Sequence, residues 1–446
     1  MIQRREFNKT LFLGGISGAF ALSSTRGDSA ANNRLQLGFI GVGTMGRGHL
    51  GSFLGMNDVQ VVSVCDVEPT RLEDAKKRVN EKYGKESGQV NYQGCTAHED
   101  FRDLLNDSRV DAVVIATPDH WHAVPCVMAA RLKKHIYCEK PLTHSIAEGR
   151  FIQKEVAKSG VVFQTGSQQR SEFGGKFRLA AQLVRSGRLG KIKTVRVGVS
   201  GPAVKCDLPT QEIPPGTNWD MWVGPAPMRG YNEILCPKGL HRHFPAWRNY
   251  WEYAGGGLAD MGAHHFDIAQ WALNMDHTGP VKIIPPASGS SGLKFVYANG
   301  IEMFHGGPSG CTFEGTDAVL YVDRSTITCT KEEILKTPLE KPDPSILVAD
   351  NHRRNWLDGI RNGTPIICPP EIGHRSASIC HLGNLGYRLN KTLVWDPASE
   401  VFPNDSEANR FLLREYRSPW TLEEQAREVR FPRIRAILDR VRQFRD

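Results

Sequence analysis

Ten cysteines are present, yet no two are spaced C-x-x-C, and the chain has no H-E-x-x-H. The first absence excludes a zinc knuckle and a thioredoxin-like pair, and the second the commonest helical zinc motif. Cys65, Cys126 and Cys138 stand inside apolar runs (VVSVCD, VPCVMAA, HIYCEK), where a cysteine acts as a small buried hydrophobe. Bridging among the later cysteines stays open. No run of Lys and Arg is interleaved with aromatics, so the formal charge of +8 describes a scattered basic surface and not a grip on nucleic acid. No apolar stretch is long enough for a stable membrane span, and there is neither an internal repeat nor a low-complexity tract. What remains is a globular composition, 40% hydrophobic and 23% charged. Its 446 residues suffice for two domains plus extras.

The front of the chain reads as an address. Arg4-Arg5-Glu6-Phe7-Asn8-Lys9 precedes a mildly apolar, glycine-containing stretch from Thr10 to Leu22, the pattern of a twin-arginine export signal. Ser29-Ala30-Ala31 offers small residues for cleavage. Residues 1–31 are therefore expected to be a signal peptide and the mature protein to be periplasmic or otherwise extracytoplasmic. That route exports folded proteins, so a tightly held cofactor could travel with its protein.

From Leu35, apolar runs alternate with amphipathic helices: LQLGFI, then a glycine turn and helix, VQVVSVCD, helices near 69–82 and 98–107, DAVVIAT, a helix over 120–132, HIYCEK, a helix over 145–158, and VVFQT. Continuous apolar strands separated by helices predict a parallel doubly wound sheet, an α/β Rossmann domain over 32–165. Past 165 the pattern changes. A helix over 172–187 and the alternating strand KIKTVRVGVS lead into a Pro/Gly/Trp-rich stretch, 201–257, with little periodicity, which predicts loops over a site. A helix over 261–273 is followed by short strand-like segments (VKIIPP, LKFVYA, IEMFHG, CTFEGT, AVLYVD, STITCT). These predict a second α+β domain, 166–446, with a large, mostly antiparallel open sheet. Helices over 352–361 and 374–390 are expected to pack back on the Rossmann domain, and an arginine-rich helix closes the chain.

Gly41-Val42-Gly43-Thr44-Met45-Gly46 fits G-x-G-x-x-G directly after a strand and before a helix. Gly41 permits the turn, Gly43 the approach of a pyrophosphate, and Gly46 close packing of helix on strand. Asp66 ends the second strand, 20 residues after Gly46, where a carboxylate meets the ribose hydroxyls and repels a 2′-phosphate. NAD is thus expected over NADP, although Arg71 lies near enough in sequence to blur the choice.

Cys138-Glu139-Lys140-Pro141-Leu142 follows a strand at the carboxyl edge of the sheet, where a lysine could hold a hydroxyl and ease its passage toward alkoxide. In GGGLADMGAHHFD, Asp260 and His264 are four apart and share a helix face, behind glycines expected to let the helix approach the cofactor. A histidine there could take a hydroxyl proton while the carboxylate orients it. A metal site from Asp260, His264, His265 and Asp267 is the competing pattern. Adjacent histidines point about 100° apart on a helix, however, and no metal is expected.

Together, GVGTMG with Asp66, CEKPL and GGGxxDxxxH resemble the Gfo/Idh/MocA oxidoreductases, and the likeness extends through NHRRNWLDGIRNGTP and FEGTDAVLYVDR. The resemblance implies His264 as acid/base, Lys140 as the cation at the reacting hydroxyl, and Asp260 as its orienting carboxylate. It also implies that the loop with Thr117, Pro118, His120 and His122 covers the cofactor and that Glu139 contacts it. Gln168-Gln169-Arg170 matches a stretch beside the nicotinamide, and Arg170, Trp247, Arg248 and Tyr250 are candidate substrate contacts. The implied partner is a small sugar, polyol or glycoside, in a homodimer or homotetramer paired through the open sheet. Three functions fit: an NAD-dependent dehydrogenase that recycles its cofactor in place, a glycosidase working by oxidation, elimination and reduction, and a sugar sensor that holds NAD without turnover.

Overall fold

The computed structural model describes residues 34–422. The expected signal peptide and the arginine-rich closing helix lie outside the described residues. Six strands form a parallel sheet: β1 (Leu35–Ile40), β2 (Val59–Cys65), β3 (Thr96–His98), β4 (Ala112–Ile115), β5 (His135–Cys138) and β6 (Phe163–Thr165). Their order is β3-β2-β1-β4-β5-β6, which places the switch in winding direction between β1 and β4. In such sheets ligands sit at the carboxyl ends around that switch.

Local chemistry sets the helix boundaries. Glu68 accepts from the Arg71 amide at the start of the helix Pro69–Ser87, Asp100 caps Phe101–Asn106, and Glu148 reaches back to the amides of His144 and Ser145 at the start of Ile146–Ser159. Gly88 and Gly160 end two of these helices in the left-handed conformation. Apolar side chains fill both faces of the sheet. Leu37, Phe39, Phe53 and Val61 lie on one face with Trp356 from the helix His352–Asn362. Ile40, Val113, Phe151 and Ile152 lie on the other with Trp121 and Trp420.

The second sheet has seven strands: β7 (Ile192–Gly198), β8 (Lys282–Ile284), β9 (Lys294–Val296), β10 (Glu302–Gly315), β11 (Val319–Val322), β12 (Ile327–Cys329) and β13 (Leu393–Val394). Strand β10 holds two of the segments expected to be separate strands. Its arms turn at Gly306-Gly307-Pro308, and both pair with β7, from Glu302 opposite Thr194 to His305 opposite Val197, and from Ser309 opposite Gly198 to Glu314 opposite Thr194. One face of this sheet packs against the helices Lys176–Arg185, Gly262–Ala272 and Pro370–Leu389, through Phe177, Phe266, Phe295 and Ile379 among others. The stretch 201–257 is loop with two short helical segments, Trp219–Val223 and Ala246–Asn249, gathered around Trp219, Trp222, Tyr231 and Tyr253. All ten cysteines are free, nine of them buried. Among the described residues no helix is long and apolar enough to cross a membrane, and no group of His, Cys, Asp and Glu could hold a metal.

Candidate active site

The glycine turn joins β1 to the helix Thr44–Leu54 and is shaped by contacts that exclude a side chain. Gly41 has φ +84, and a Cβ there would lie 2.8 Å from the Ala116 backbone. A Cβ on Gly46 would lie 2.0 Å from the Gly41 carbonyl. Gly46 is thus a packing residue that keeps the helix against the turn, and it does not line the cavity as a cofactor contact. At Gly43, by contrast, a Cβ would meet nothing within 4 Å, because the residue faces open space. The helix begins without a side-chain cap and without an acid in its first turn, so among the described residues no side chain caps its leading amides. That combination fits a pyrophosphate.

A cavity of about 360 Å³ runs from this turn to the second sheet, with Gly41, Gly43, Thr44, Met45, Asp66, Thr117, Pro118 and Glu139 in its wall. Asp66 is fixed by its neighbours: Oδ2 accepts from the Val42 amide (2.9 Å) and Oδ1 from the Glu68 amide (3.0 Å). Arg71, the nearby cation, is held by several partners. The guanidinium donates to the carbonyls of Pro237 and of Gly239 (3.2 Å) and lies 3.8 Å from Glu68 and 3.9 Å from Asp66. It is engaged by the 201–257 loop while it also lines the cavity beside Asp66.

The same loop crosses the glycine turn. Thr44 Oγ1 donates to the His243 carbonyl (2.9 Å), Arg47 donates to the His241 carbonyl, and the Gly239 amide donates to Glu68 (3.1 Å). Leu235, Pro237, His241, Phe244 and Pro245 complete the wall on that side. The expectation that 201–257 forms loops over a site is met here, although neither periodicity nor a motif marks 235–245 as the part that crosses the turn.

Behind the cavity lies a chain of donors. Arg353 Nε donates to His49 Nδ1 (2.9 Å); arginine has no acceptor, so Nδ1 must accept and Nε2 must carry the hydrogen it gives to Glu139 Oε1 (2.7 Å). Gln168 donates to the same oxygen (2.7 Å). Burial opposes the Glu139 charge, but His49, Lys140 and Gln168 outweigh it and hold the carboxyl down to about 2.

At the reacting end, Lys140 Nζ, just past β5, donates to Asp260 Oδ1 (2.7 Å) and to the Asp260 carbonyl (2.8 Å). Arg248 reaches the same carboxylate at 3.5 Å while lying over the Trp247 ring, 4.1 Å from its centre. Burial works against the Asp260 charge, yet Lys140 and Arg248 keep its carboxyl below the usual range. His264 lines the cavity with Lys140 and Asp260. Its Nδ1 is buried without a partner among the described residues, which leaves Nε2 as the nitrogen open to the cavity. Burial, then Lys140 and Arg324, push its pKa well below the ordinary imidazole value, so the ring is a neutral base near pH 7. Arg324, in the turn between β11 and β12, also lines the cavity, and its Nε donates to Gln169 (2.9 Å). No spacing pattern singled it out.

Several expectations are corrected. Asp260 and His264 do not share one continuous helix: Gly256–Asp260 and Gly262–Ala272 are separate, joined at Met261. The glycines in front serve a close packing contact, since Cβ atoms on Gly256 and Gly257 would strike Ala203 and Ser200 at 2.4 Å. His120 is buried, with Nε2 beside the Trp222 carbonyl (3.0 Å) and its ring against Trp222 and Tyr253, and it does not line the cavity. His122 is likewise internal. Its Nδ1 faces the Pro141 carbonyl (2.8 Å) and its Nε2 the Thr117 carbonyl (3.0 Å), so both nitrogens must donate. Against the burial that opposes its charging, Cys138, Asp119 and the Pro141 carbonyl raise its pKa to about 10. His122 therefore clamps the loops after β4 and β5 together. Arg170 is buried between Asp267 (2.8 Å) and Asp276 (2.7 Å), out of reach of a substrate, and this pairing also removes Asp267 from any metal set. Trp247 and Arg248 line the cavity, but Tyr250 packs in the aromatic cluster of the loop and does not.

A six-stranded parallel sheet with a pyrophosphate-fitting turn at its switch point, facing a second sheet across a polar cavity, defines a dinucleotide-binding α/β oxidoreductase architecture. The chain belongs to the Gfo/Idh/MocA oxidoreductase family: residues 35–167 match its NAD-binding Rossmann fold and residues 181–422 its C-terminal alpha/beta domain. It is 30% identical over 239 residues to a myo-inositol 2-dehydrogenase of Thermotoga maritima, covering 54% of this chain and 55% of that one. It is 32% identical over 114 residues to a glycosyl hydrolase family 109 protein of Shewanella pealeana, covering 26% and 24%. The chain thus spans about half the length, or less, of the curated relatives it matches. In fold it is similar to the WlbA dehydrogenase of Bordetella pertussis, solved with NADH and UDP-GlcNAcA, at a TM-score of 0.57, 16% identity, and coverage of 81% and 99%.

Proposed function

We propose that the protein is an NAD-dependent oxidoreductase acting on a CH–OH or keto group of a sugar, polyol or glycoside, with the cofactor retained and recycled in place. The observation that carries this reading is the convergence of Lys140, Asp260 and His264 on the cavity whose other end is the glycine turn. When bound, NAD supplies the hydride acceptor. The chain supplies the rest. Lys140 Nζ, held by Asp260, donates to the substrate oxygen and stabilises negative charge as it develops there. Neutral His264 takes the hydroxyl proton at Nε2 and returns it in the reverse direction. The strap of residues 235–245 crosses the pyrophosphate end, which supports retention of the cofactor. Retention in turn suits export through a twin-arginine signal over residues 1–31, which we also propose.

Glycoside cleavage by transient oxidation draws on the same residues. One experiment separates the two readings: purified protein is incubated with free sugars, polyols and aryl glycosides while the absorbance of bound reduced cofactor and the release of aglycone are followed together. Reduced cofactor or ketosugar without aglycone supports the proposal, and aglycone without net reduction replaces it with the glycosidase. If neither appears on any substrate, the oxidoreductase reading fails and a sensing role takes its place.

A further inference from the structure

A buried carboxylate with nothing to accept from is costly unless a ligand completes it. Asp119 is such a group. It opens the short turn Asp119–Trp121 after β4, is only 6% exposed, and lines the cavity beside Lys140 and Asp260. Among the described residues no hydrogen bond or ion pair reaches its side chain. The charged groups around it are His122, Lys140, Arg248 and Asp260. Each is committed elsewhere: Lys140 and Arg248 to Asp260, and His122 to the carbonyls of Pro141 and Thr117.

We infer that Asp119 anchors a ligand, its two carboxylate oxygens accepting the two hydroxyls of a vicinal diol. The cations Lys140 and Arg248 stand close enough to repel a charged donor, so the donor must be neutral, and paired coplanar acceptors suit adjacent hydroxyls. Two ligands bring that chemistry to this end of the cavity: the nicotinamide ribose of the dinucleotide and the ring of a sugar. The second source rests on the proposed function; the first rests only on the NAD-binding domain. Burial lifts the Asp119 carboxyl to about 6, which adds a signature. The ionised form is the double acceptor, so binding is strongest above that pH and weakens as pH falls through it.

The test uses Asp119→Asn, which keeps shape but loses one acceptor, and Asp119→Ala. The dissociation constant for NAD is read by tryptophan fluorescence on cofactor-free full-length protein, and those for myo-inositol and a methyl glucoside by calorimetry on NAD-loaded protein. One of these constants should weaken about ten- to hundredfold in both variants. The NAD constant moves if the ribose is the partner, and a sugar constant moves if the substrate is. The affected constant should also weaken below about pH 6 in the parent protein and lose that dependence in Asp119→Asn. Should Asp119→Ala not fold, Asp119→Asn and the parent pH profile still decide. Unchanged constants for NAD and both sugars in Asp119→Asn, with no loss of affinity below pH 6 in the parent, overturn the inference. If the parent binds no sugar, the oxidoreductase reading fails separately and the NAD arm alone decides on Asp119.

Discussion

The two ends of the cavity are built on different principles. At the cofactor end the ligand-facing groups are backbone: a glycine turn, the leading amides of one helix, and a strap whose carbonyls are tied to Arg47 and Arg71. Nearly every charge there has a protein partner. At the reacting end the groups are side chains from distant segments, and two of them, His264 Nδ1 and the Asp119 carboxylate, have no partner among the described residues. The first end offers mainly backbone groups to its ligand; the second gathers side chains for chemistry. Binding and turnover should therefore respond separately to substitution.

The largest separation is expected from His264→Ala. Loss of the base should lower kcat/KM by about 10²–10⁴-fold while denatured protein still releases its dinucleotide. Lys140→Met should follow with a loss on the order of 10²–10³-fold, mostly in kcat, by steady-state kinetics on the best substrate. If either variant keeps parental activity, the assigned role is wrong. Gly46→Ala attacks the other end, because its Cβ must displace the Gly41 carbonyl. An overpacking cost of about 1–3 kcal/mol should lower the thermal midpoint and weaken NAD binding together. Arg71→Met should be milder: the fold holds, but the strap loses its anchor and NAD dissociates about tenfold faster in a stopped-flow chase. An unchanged dissociation rate would show that the strap does not retain the cofactor. The smallest effect is in pH. Glu139 has a carboxyl held below its unfolded value, so its contribution to stability is complete above the unfolded pKa and is lost as pH falls toward about 2. Glu139→Gln should flatten that part of the acid-unfolding curve.

The same contrast explains what the sequence revealed. The cofactor end was legible because contiguous residues carry its physics: strand, glycine turn, helix and Asp66 lie within 32 residues, each with a steric or electrostatic reason for its position. Lys140 and Asp260 are separated by 120 positions, and only the family resemblance brought them together. Helical spacing put Asp260 and His264 on one helix face, and both line the cavity, but it missed the break at Met261, where two short helices meet. His120, His122 and Arg170 were misplaced because a one-dimensional pattern does not say which side of a loop faces inward. The packing of Trp222 and Tyr253, the carbonyls of Thr117 and Pro141, and two buried aspartates claim them instead. The strap was legible only as part of a loop over the site, for a related reason: its contacts are made through carbonyls, which every residue has.

Arg71 links two properties that enzyme engineers usually treat as independent. The guanidinium that latches the 235–245 segment shut is also the nearest cation to the adenosine-side acid, Asp66. Recruiting it to greet a phosphorylated ribose means unfastening the latch. If the strap retains the cofactor as proposed, a switch of coenzyme preference and a leak of coenzyme into the surroundings become coupled outcomes of moving one side chain.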